Sequence, residues 1–460
     1  MNKLKVLVLS HTGELLGGAE RSMLDVLDLW SAQHGINPTF ILKQPVESLG
    51  KALSGRGWGY SSFDYGFWSD NSPPKYPEDI FRNAARNSET VRGIMTIIED
   101  TKPDVVLTNS IVCPWAALAA HFQEVPHVWF VREYGDLDHG RKFEIGQEKT
   151  LRDIGNLSDL VVANSKTLES HLAQYIDQNK LTTLYNPFDL EKISARAKQA
   201  VKNPFKFNDS LKLITTNNIA PTKGQLEAVE AVGKLNQAGS NVEICIMGTG
   251  HQGHIDNINK VVRQYSIEDK VHLVGSQPDT LPYISLADVG IMASRKEAFG
   301  RATFECLAAS KPVVGANSGA TPEMVEHGVN GYLYEQGNSD SLATELKNYL
   351  QDKSLLEIHG QKALPKAQDM MKSEYNAEAL YERITQVATS NNSDSSVDVA
   401  DVSKKQPIHY LSRWFDYVMA GGEAMDQAHT FTFRRIILFR LKLRLKKPYL
   451  YLKSLKSRLE

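Results

Sequence analysis

Short apolar runs alternate with helical patterns through the first half of this chain, and the pattern then starts again in the second half. KVLVLS (5–10), PTFILK (38–43), DVVLTN (104–109), HVWFV (127–131) and DLVVAN (159–164) form the first series. LKLITT (211–216), VEICIMG (242–248), KVHLVG (270–275), DVGIMA (288–293) and KPVVGA (311–316) form the second. Within each run, apolar residues follow one another without polar alternation. Such strands must be buried on both faces, which requires a parallel sheet with helices over each side. The expected fold is therefore α/β: two doubly wound, Rossmann-like domains facing a cleft, followed by a C-terminal basic extension. A polar, Lys-rich stretch at 188–210 suits the connector. Expected boundaries are 1–190 and 191–373 for the two domains. A helix at 374–389 closes the second domain, a Ser/Asp-rich flexible linker covers 390–407, and 408–460 is a basic amphipathic tail. In such sheets ligands bind beyond the carboxyl ends of the strands, so functional residues are sought there.

Composition removes several functional classes. No run of about 18 apolar residues exists, so no transmembrane helix is expected, and MNKLKVLVLS reads as a first strand. Cys113, Cys245 and Cys306 lie far apart in apolar contexts. They fit neither a disulfide scaffold nor a zinc site and suggest a reducing compartment. The net charge of −2 hides an asymmetry. Residues 431–460 carry ten Lys and Arg against one acid, a net +9, while the rest carries 42 basic and 53 acidic residues, a net −11. An acidic body argues against nucleic acid as a partner. Leucines at 438, 441 and 445, then 452, 455 and 459, space the tail as two short basic helices suited to an anionic membrane surface. Residues 441–446 also alternate strictly, which favours a strand, and an intrachain or oligomer contact is the alternative.

The richest stretch is SRKEAFGRATFECLAASKPVVGANSGATPE, residues 294–323. A strand ends at Ser294. The loop to Gly300 precedes a helix stopped before Pro312, and a second strand leads to a loop with Thr321 as expected N-cap and Pro322 at the first helical position. Two helix starts thus face one ligand region, where free N–H groups receive phosphate. Gly300 and Gly319 permit close backbone approach. Glu297 and Glu305 suit hydroxyls, and a charged hydrogen bond to a hydroxyl contributes roughly 1.5–3 kcal/mol. A ligand that carries a diphosphate, a ribose and a sugar meets all of these demands. Both glutamates as plain surface charges is the bland reading. Hydrolysis by a carboxylate pair fits poorly: eight helical residues span about 12 Å, beyond the roughly 5–9.5 Å that glycosidases use.

This stretch resembles the signature of glycosyltransferase family 4, retaining enzymes of GT-B fold. Glu297, Phe299, Gly300 and Glu305 match its E-x-F-G-x4-E form, and Pro312, Gly319, Pro322, Glu323, Gly328, Gly331 and Tyr332 continue it. The resemblance spans about residues 4–388 and is looser in the first half. It implies sugar transfer from a nucleotide sugar, a UDP or GDP sugar, to a glycan or lipid-linked acceptor in cell-surface polysaccharide or glycoconjugate synthesis. It implies no cofactor and no metal. It places the chain in the cytoplasm, with the tail on the inner membrane face. By resemblance, Glu305 holds the ribose, Glu297 the transferred sugar, and the backbone at Phe299 and Gly300 lies beside the sugar and diphosphate.

Further motifs follow the family with departures. NNIAPTKG carries Lys223 as the cation for the leaving diphosphate, but Asn218 stands where an arginine is usual, and Arg301 and Lys296 are candidate replacements. Gly248-x-Gly250-x-x-Gly253 has the dinucleotide spacing, yet the next strand ends Val274-Gly275-Ser276 without the required acid, so the resemblance assigns Gly248 and Gly250 to a nucleotide-side turn. Gly17 and Gly18 open a helix after the first strand, where they approach diphosphate or acceptor. Glu20 suits that helix's dipole. Arg132-Glu133 stands where many family members have His-Asp or His-Glu, so for a histidine donor His127 or His139 would have to approach. Otherwise Arg132 contacts phosphate and Glu133 an acceptor hydroxyl, or the two form a structural ion pair. Asn109, Ser110, Asn164 and Ser165 line the cleft or cap helices. The aromatic-rich segment 56–80 stacks on an acceptor sugar or packs on itself. Rival readings are a non-catalytic GT-B scaffold subunit and a GT-B epimerase; the epimerase should lack the Phe-Gly glutamate motif.

Overall fold

Two separate parallel sheets form from these runs. The computed structural model describes residues 3–15, 17–70, 77–373, 375–390 and 407–411. The first domain holds β1 (Val6–Ser10), β2 (Thr39–Lys43), β3 (Tyr60–Phe63), β4 (Ser69–Asp70), β5 (Val105–Asn109), β6 (His127–Val131), β7 (Lys142–Phe143), β8 (Leu160–Ala163) and β9 (Leu181–Thr183). Seven of these make a parallel sheet of order β3-β2-β1-β5-β6-β8-β9, while β4 and β7 pair antiparallel beside it. The second holds β10 (Leu211–Thr215), β11 (Val242–Met247), β12 (Val271–Gly275), β13 (Val289–Met292), β14 (Val313–Ala316) and β15 (Gly331–Tyr334), in order β12-β11-β10-β13-β14-β15. All of the predicted runs are strands.

Alternate residues of each strand enter opposite cores, as unalternated apolar runs require. Leu7 and Leu9 pack on one face of the first sheet, and Val6 and Val8 pack on the other. In the second sheet Ile244 and Ile246 face one core, and Cys245 and Met247 the other. The cysteines are buried free thiols.

Three connections differ from expectation. The polar stretch 188–210 contains a helix, Leu190–Ala197, whose Ile193 is buried in the second domain's core. The helix expected to close the second domain, Ala377–Ser390, packs on the first instead. Its residues Ala377, Leu380 and Ile384 share a core with Trp30, whose indole N–H donates to the Ala377 carbonyl at 2.7 Å. Its apolar stripe gives no address, so sequence alone could not choose the domain.

Beyond the linker, residues 407–411 do not begin a free tail. Backbone N–H groups of His409 and Tyr410 donate to the buried Asp153 carboxylate at 2.8 and 2.7 Å. Tyr410 is 2% exposed, edge-on to Trp68 at 5.5 Å and beside Trp115 at 5.9 Å. The chain thus returns to the first domain twice. The linker interior and the basic stretch 431–460 lie outside the described residues. Among the described residues, no helix is long and apolar enough to cross a membrane.

Candidate active site

The second-domain half is built by loops that glycines allow to touch. Gly319 has φ 58°, and a Cβ there would sit 2.4 Å from the Glu297 carbonyl oxygen. Gly224 has φ 68°, and a Cβ would sit 2.0 Å from the Ala293 oxygen. Only glycine tolerates both the left-handed backbone and that proximity. The Ala320 N–H donates to the Glu297 carbonyl at 2.9 Å, and the Arg295 N–H to Thr222 at 2.8 Å. The loops after β10, β13 and β14 therefore converge on Glu297.

Their convergence sets Lys223 Nζ 2.6 Å from Glu297 Oε1, with both side chains mostly buried. Sequence reasoning gave these two residues adjacent parts of one ligand, and the structure places them in contact. Gly300, φ 89°, caps the helix Arg301–Ala308. Glu305 lies half-buried on that helix. Burial raises its carboxyl above the usual range, and Arg301, Arg196 and Arg21 oppose the rise. Thr280 Oγ1 donates to it at 3.4 Å. Phe299 is a packing residue: its ring is 3% exposed, against Phe188 at 6.1 Å and Tyr185 at 6.2 Å.

Gly248 and Gly250 serve loop packing. Added Cβ atoms would meet the Asn217 oxygen at 2.3 Å and the Ile219 oxygen at 2.1 Å. Asn218 itself is exposed, and its carbonyl accepts from Gln225 Nε2 at 2.9 Å. Neither candidate replacement for the missing arginine stands free. Arg301 Nη1 donates to Ser22 Oγ at 2.8 Å and pairs with Asp25 at 3.4 Å, both on the first-domain helix Gly18–His34. Lys296 Nζ lies 5.0 Å from the Tyr134 ring of the first domain. Gly18 admits the Arg301 stem, since a Cβ there would lie 3.1 Å from Arg301 Cδ.

Thr321 is not the N-cap expected for the loop after β14. Ala320 takes that position without a side-chain bond, and the helix Thr321–Met324 is one turn long. Glu323, a motif residue, lies on this turn. Its carboxylate accepts from Thr167 N at 2.7 Å, Thr167 Oγ1 at 2.6 Å, Lys166 N at 3.2 Å and Tyr185 Oη at 2.9 Å. The second domain thereby caps the first-domain helix Lys166–Leu172, which Ser165 also caps.

In the first domain, polar groups from several strand ends replace glycine contacts. Arg132 follows β6 and is 8% exposed. Its Nε donates to Asn109 Oδ1 at 2.6 Å and Nη1 to Asn186 Oδ1 at 2.7 Å. Its Nη2 is buried with no hydrogen-bond partner among the described residues. Burial lowers its pKa to about 10, so it stays charged at neutral pH. The Arg132–Glu133 ion pair does not form. Glu133 Oε1 instead accepts from Ser110 Oγ at 2.5 Å and Ile111 N at 2.9 Å. Ser110 reaches it through φ 124°, a left-handed-side conformation that costs a non-glycine residue on the order of 1–3 kcal/mol. Asn164 Nδ2 donates to the Arg132 carbonyl at 3.0 Å.

Neither histidine considered for this region joins it. His127 lies at the opposite, amino end of β6, buried and bonded to Thr108 and Ser158. Burial lowers it to about 3, which keeps it neutral. His139 is half exposed, 3.9 Å from Asp138. His11 is the histidine at the carboxyl edge, directly after β1, with Nδ1 3.0 Å from Glu20 Oε1. Glu20 is 2% exposed, so this contact, and more than the helix dipole, accounts for it. Gly17 makes room: a Cβ there would lie 2.6 Å from Glu20 Oε2. The position of His11 after the first strand was the available signal. Among the described residues no cluster of three or more His, Cys, Asp or Glu could hold a metal. Of the aromatic-rich segment, Trp58, Tyr65 and Trp68 are buried in the first domain's cores, where Trp58 stacks on Phe40 at 6.1 Å and Trp68 on Trp129 at 5.7 Å, and residues 71–76 lie outside the described residues.

Comparisons with known proteins agree with this geometry. The family model "Glycosyltransferase Family 4" matches residues 16–192, and "Glycosyl transferases group 1" matches 197–364. The N-acetyl-alpha-D-glucosaminyl L-malate synthase of Bacillus anthracis is 28% identical over 47% of this chain, and the chain spans 57% of that relative's length. The lipopolysaccharide core biosynthesis glycosyltransferase LpsE of Rhizobium meliloti is 22% identical over 74% of this chain and 87% of its own. The structure of Anabaena Alr3699/HepE in complex with UDP and glucose superimposes with a TM-score of 0.64 at 20% identity, covering 84% of this chain and all of that one. With matched models over both domains and the two facing parallel sheets, the chain belongs to the group 1, family 4 glycosyltransferases and has their GT-B fold.

Proposed function

We propose that this chain is a retaining hexosyltransferase that moves a sugar from a nucleoside diphosphate sugar to a glycan or lipid-linked acceptor. The observation that carries the reading is the 2.6 Å contact between Lys223 and Glu297, with Glu305 on the following helix. In a nucleotide sugar the reacting carbon joins a hydroxyl-bearing ring to a diphosphate. A cation and a carboxylate that touch each other can therefore serve the two sides of one bond. Glu305 accepts from ribose hydroxyls, Glu297 from sugar hydroxyls, and Lys223 neutralises the charge that grows on the diphosphate as the bond breaks. This account needs no bound metal.

Retention follows if the acceptor hydroxyl attacks from the face the diphosphate leaves. The carbon–oxygen bond breaks with its electron pair going to phosphate. The acceptor oxygen bonds the same carbon, and its proton passes to the departing phosphate. Glu297 is held by an ammonium at 2.6 Å, which suits a hydrogen-bond acceptor better than a nucleophile. The buried Arg132 Nη2, unpartnered among the described residues, supports a phosphate-binding role for this residue from the first domain. The relatives' names, lipopolysaccharide core synthesis and a complex with UDP and glucose, support a surface-glycan role and a uridine donor. The basic stretch 431–460 supports attachment to an anionic membrane surface. A scaffold subunit would not need Lys223 against Glu297. Thermal shift against UDP, GDP and their sugars, then donor hydrolysis and transfer by the full chain, tests the reading. A ligand at 100 times its Kd adds about 2.7 kcal/mol. No shift with any nucleotide and no turnover would overturn it.

A further inference from the structure

Besides Arg132 and Glu133, the carboxyl edge of the first sheet carries a second group of polar residues, around Phe67. Lys43 ends β2, and its Nζ lies 5.9 Å from the Phe67 ring centroid and 6.0 Å from that of Tyr65. Arg141 directly precedes β7, and its guanidinium carbon lies 5.8 Å from the same Phe67 ring. The His11 ring is 6.3 Å from it. Phe67, Lys43 and Arg141 are all half-buried.

Of the neighbouring acids, Asp64 pairs with Arg86 at 3.1 Å, Glu133 accepts from Ser110 and Ile111, and Glu20 lies 3.0 Å from His11. Among the described residues neither Lys43 nor Arg141 pairs with a carboxylate; Lys43 donates only to the Gln44 carbonyl, at 3.2 Å. The buried thiol of Cys113 lies beneath the group. Burial pushes it up, Glu133 and Glu20 add to that rise, and Arg141 and Lys43 oppose it. A depression of about 530 Å³, lined by Gln44, Pro45, Val46, Ser62 and Asp64, opens at the same sheet edge.

Two cations without a directly paired carboxylate around one aromatic ring have a definite complement. Anionic oxygens take the charge-assisted hydrogen bonds, and the apolar face of a sugar packs on the ring. Neutral hydroxyls would leave both cations half-desolvated without a counter-charge, which is unfavourable. We propose that Lys43, Arg141 and Phe67 form an acceptor subsite for a sugar bearing an anionic group, a phosphate ester or a carboxylate. This inference rests on the transferase reading above and adds the charge of the acceptor to it.

The test uses the full chain saturated with UDP or GDP, whichever binds, so that the nucleotide side is occupied. Methyl glucoside, glucose 1-phosphate and glucuronate are titrated, and Kd is read by calorimetry. At least one anionic sugar should bind about tenfold or more tighter than the neutral one. The phosphate and carboxylate arms show which anion is preferred. In a Lys43→Gln/Arg141→Gln double variant that keeps its thermal transition, the preference should disappear. If that variant does not fold, salt decides: between about 50 and 500 mM NaCl the wild-type preference should shrink severalfold. Equal binding of neutral and anionic sugars overturns the inference, as does a preference that survives in the double variant or is insensitive to salt. Absence of nucleotide binding would instead sink the transferase reading, so the two failures are distinguishable.

Discussion

The two sides of the cleft are built differently. In the second domain, Lys223, Glu297 and Glu305 are set by loops that meet through glycines, and Glu297, Gly300, Glu305, Gly319 and Glu323 lie within one stretch of about 30 residues. In the first domain, Arg132 is held by Asn109 and Asn186, Glu133 by Ser110, and His11 lies against Glu20, with these residues drawn from the ends of β1, β5, β6 and β9 and from the helix Gly18–His34. Its cores also take in the helix Ala377–Ser390 and Tyr410 from far along the chain. The first arrangement is local in sequence and the second is assembled by the fold. A nucleotide diphosphate asks for the same contacts whatever sugar it carries. An acceptor side must change with each acceptor, and a side-chain network spread over several loops can change piecemeal.

That contrast can be broken in five ways. The largest effect is expected for Lys223→Ala, about 10²–10³ lower turnover, by comparison with loss of an oxyanion donor. A loss under about threefold would move the leaving-group role to Arg301 or, across the cleft, to Arg132. Next is Tyr410→Ala. It removes a buried ring from between Trp68 and Trp115 and should destabilise the first domain by about 3–5 kcal/mol, read by chemical denaturation. A chain ending after Leu411 should keep its stability and lose binding to anionic vesicles. Undiminished vesicle binding would sink the tail's membrane role. Glu305→Ala should weaken UDP or GDP binding by the worth of a charged hydrogen bond, about 1.5–3 kcal/mol. Unchanged affinity would remove its ribose role. The smallest effect is expected for Glu323→Ala, which removes a cap contributed by one domain to the other and should cost about 1 kcal/mol. A larger loss confined to turnover would make this contact part of the closed, reactive state.

The same contrast governs what could be read beforehand. Both sheets were legible because strands buried on both faces must be continuously apolar. Glu297, Glu305 and Lys223 were legible because short turns fix their spacing. Asn218 was visible as a departure, but not that Arg301 is drawn to Ser22 and Asp25, since that contact spans 279 residues. Ser110 was named without its bond to Glu133, because φ 124° at a serine is set by tertiary contacts. His127 was a candidate because it neighbours Arg132 in sequence. Five residues of extended strand carry it to the opposite edge.

The division of labour inside the second domain is the central claim, and Glu297→Ala tests it most directly. Calorimetry would compare the bare nucleoside diphosphate with its sugar conjugate on wild type and variant. If Glu297 serves the sugar and Glu305 the ribose, affinity for the diphosphate should stay within about twofold, while affinity for the conjugate falls by the loss of a charged hydrogen bond, tenfold or more. Equal losses for both ligands, or none for either, would contradict it.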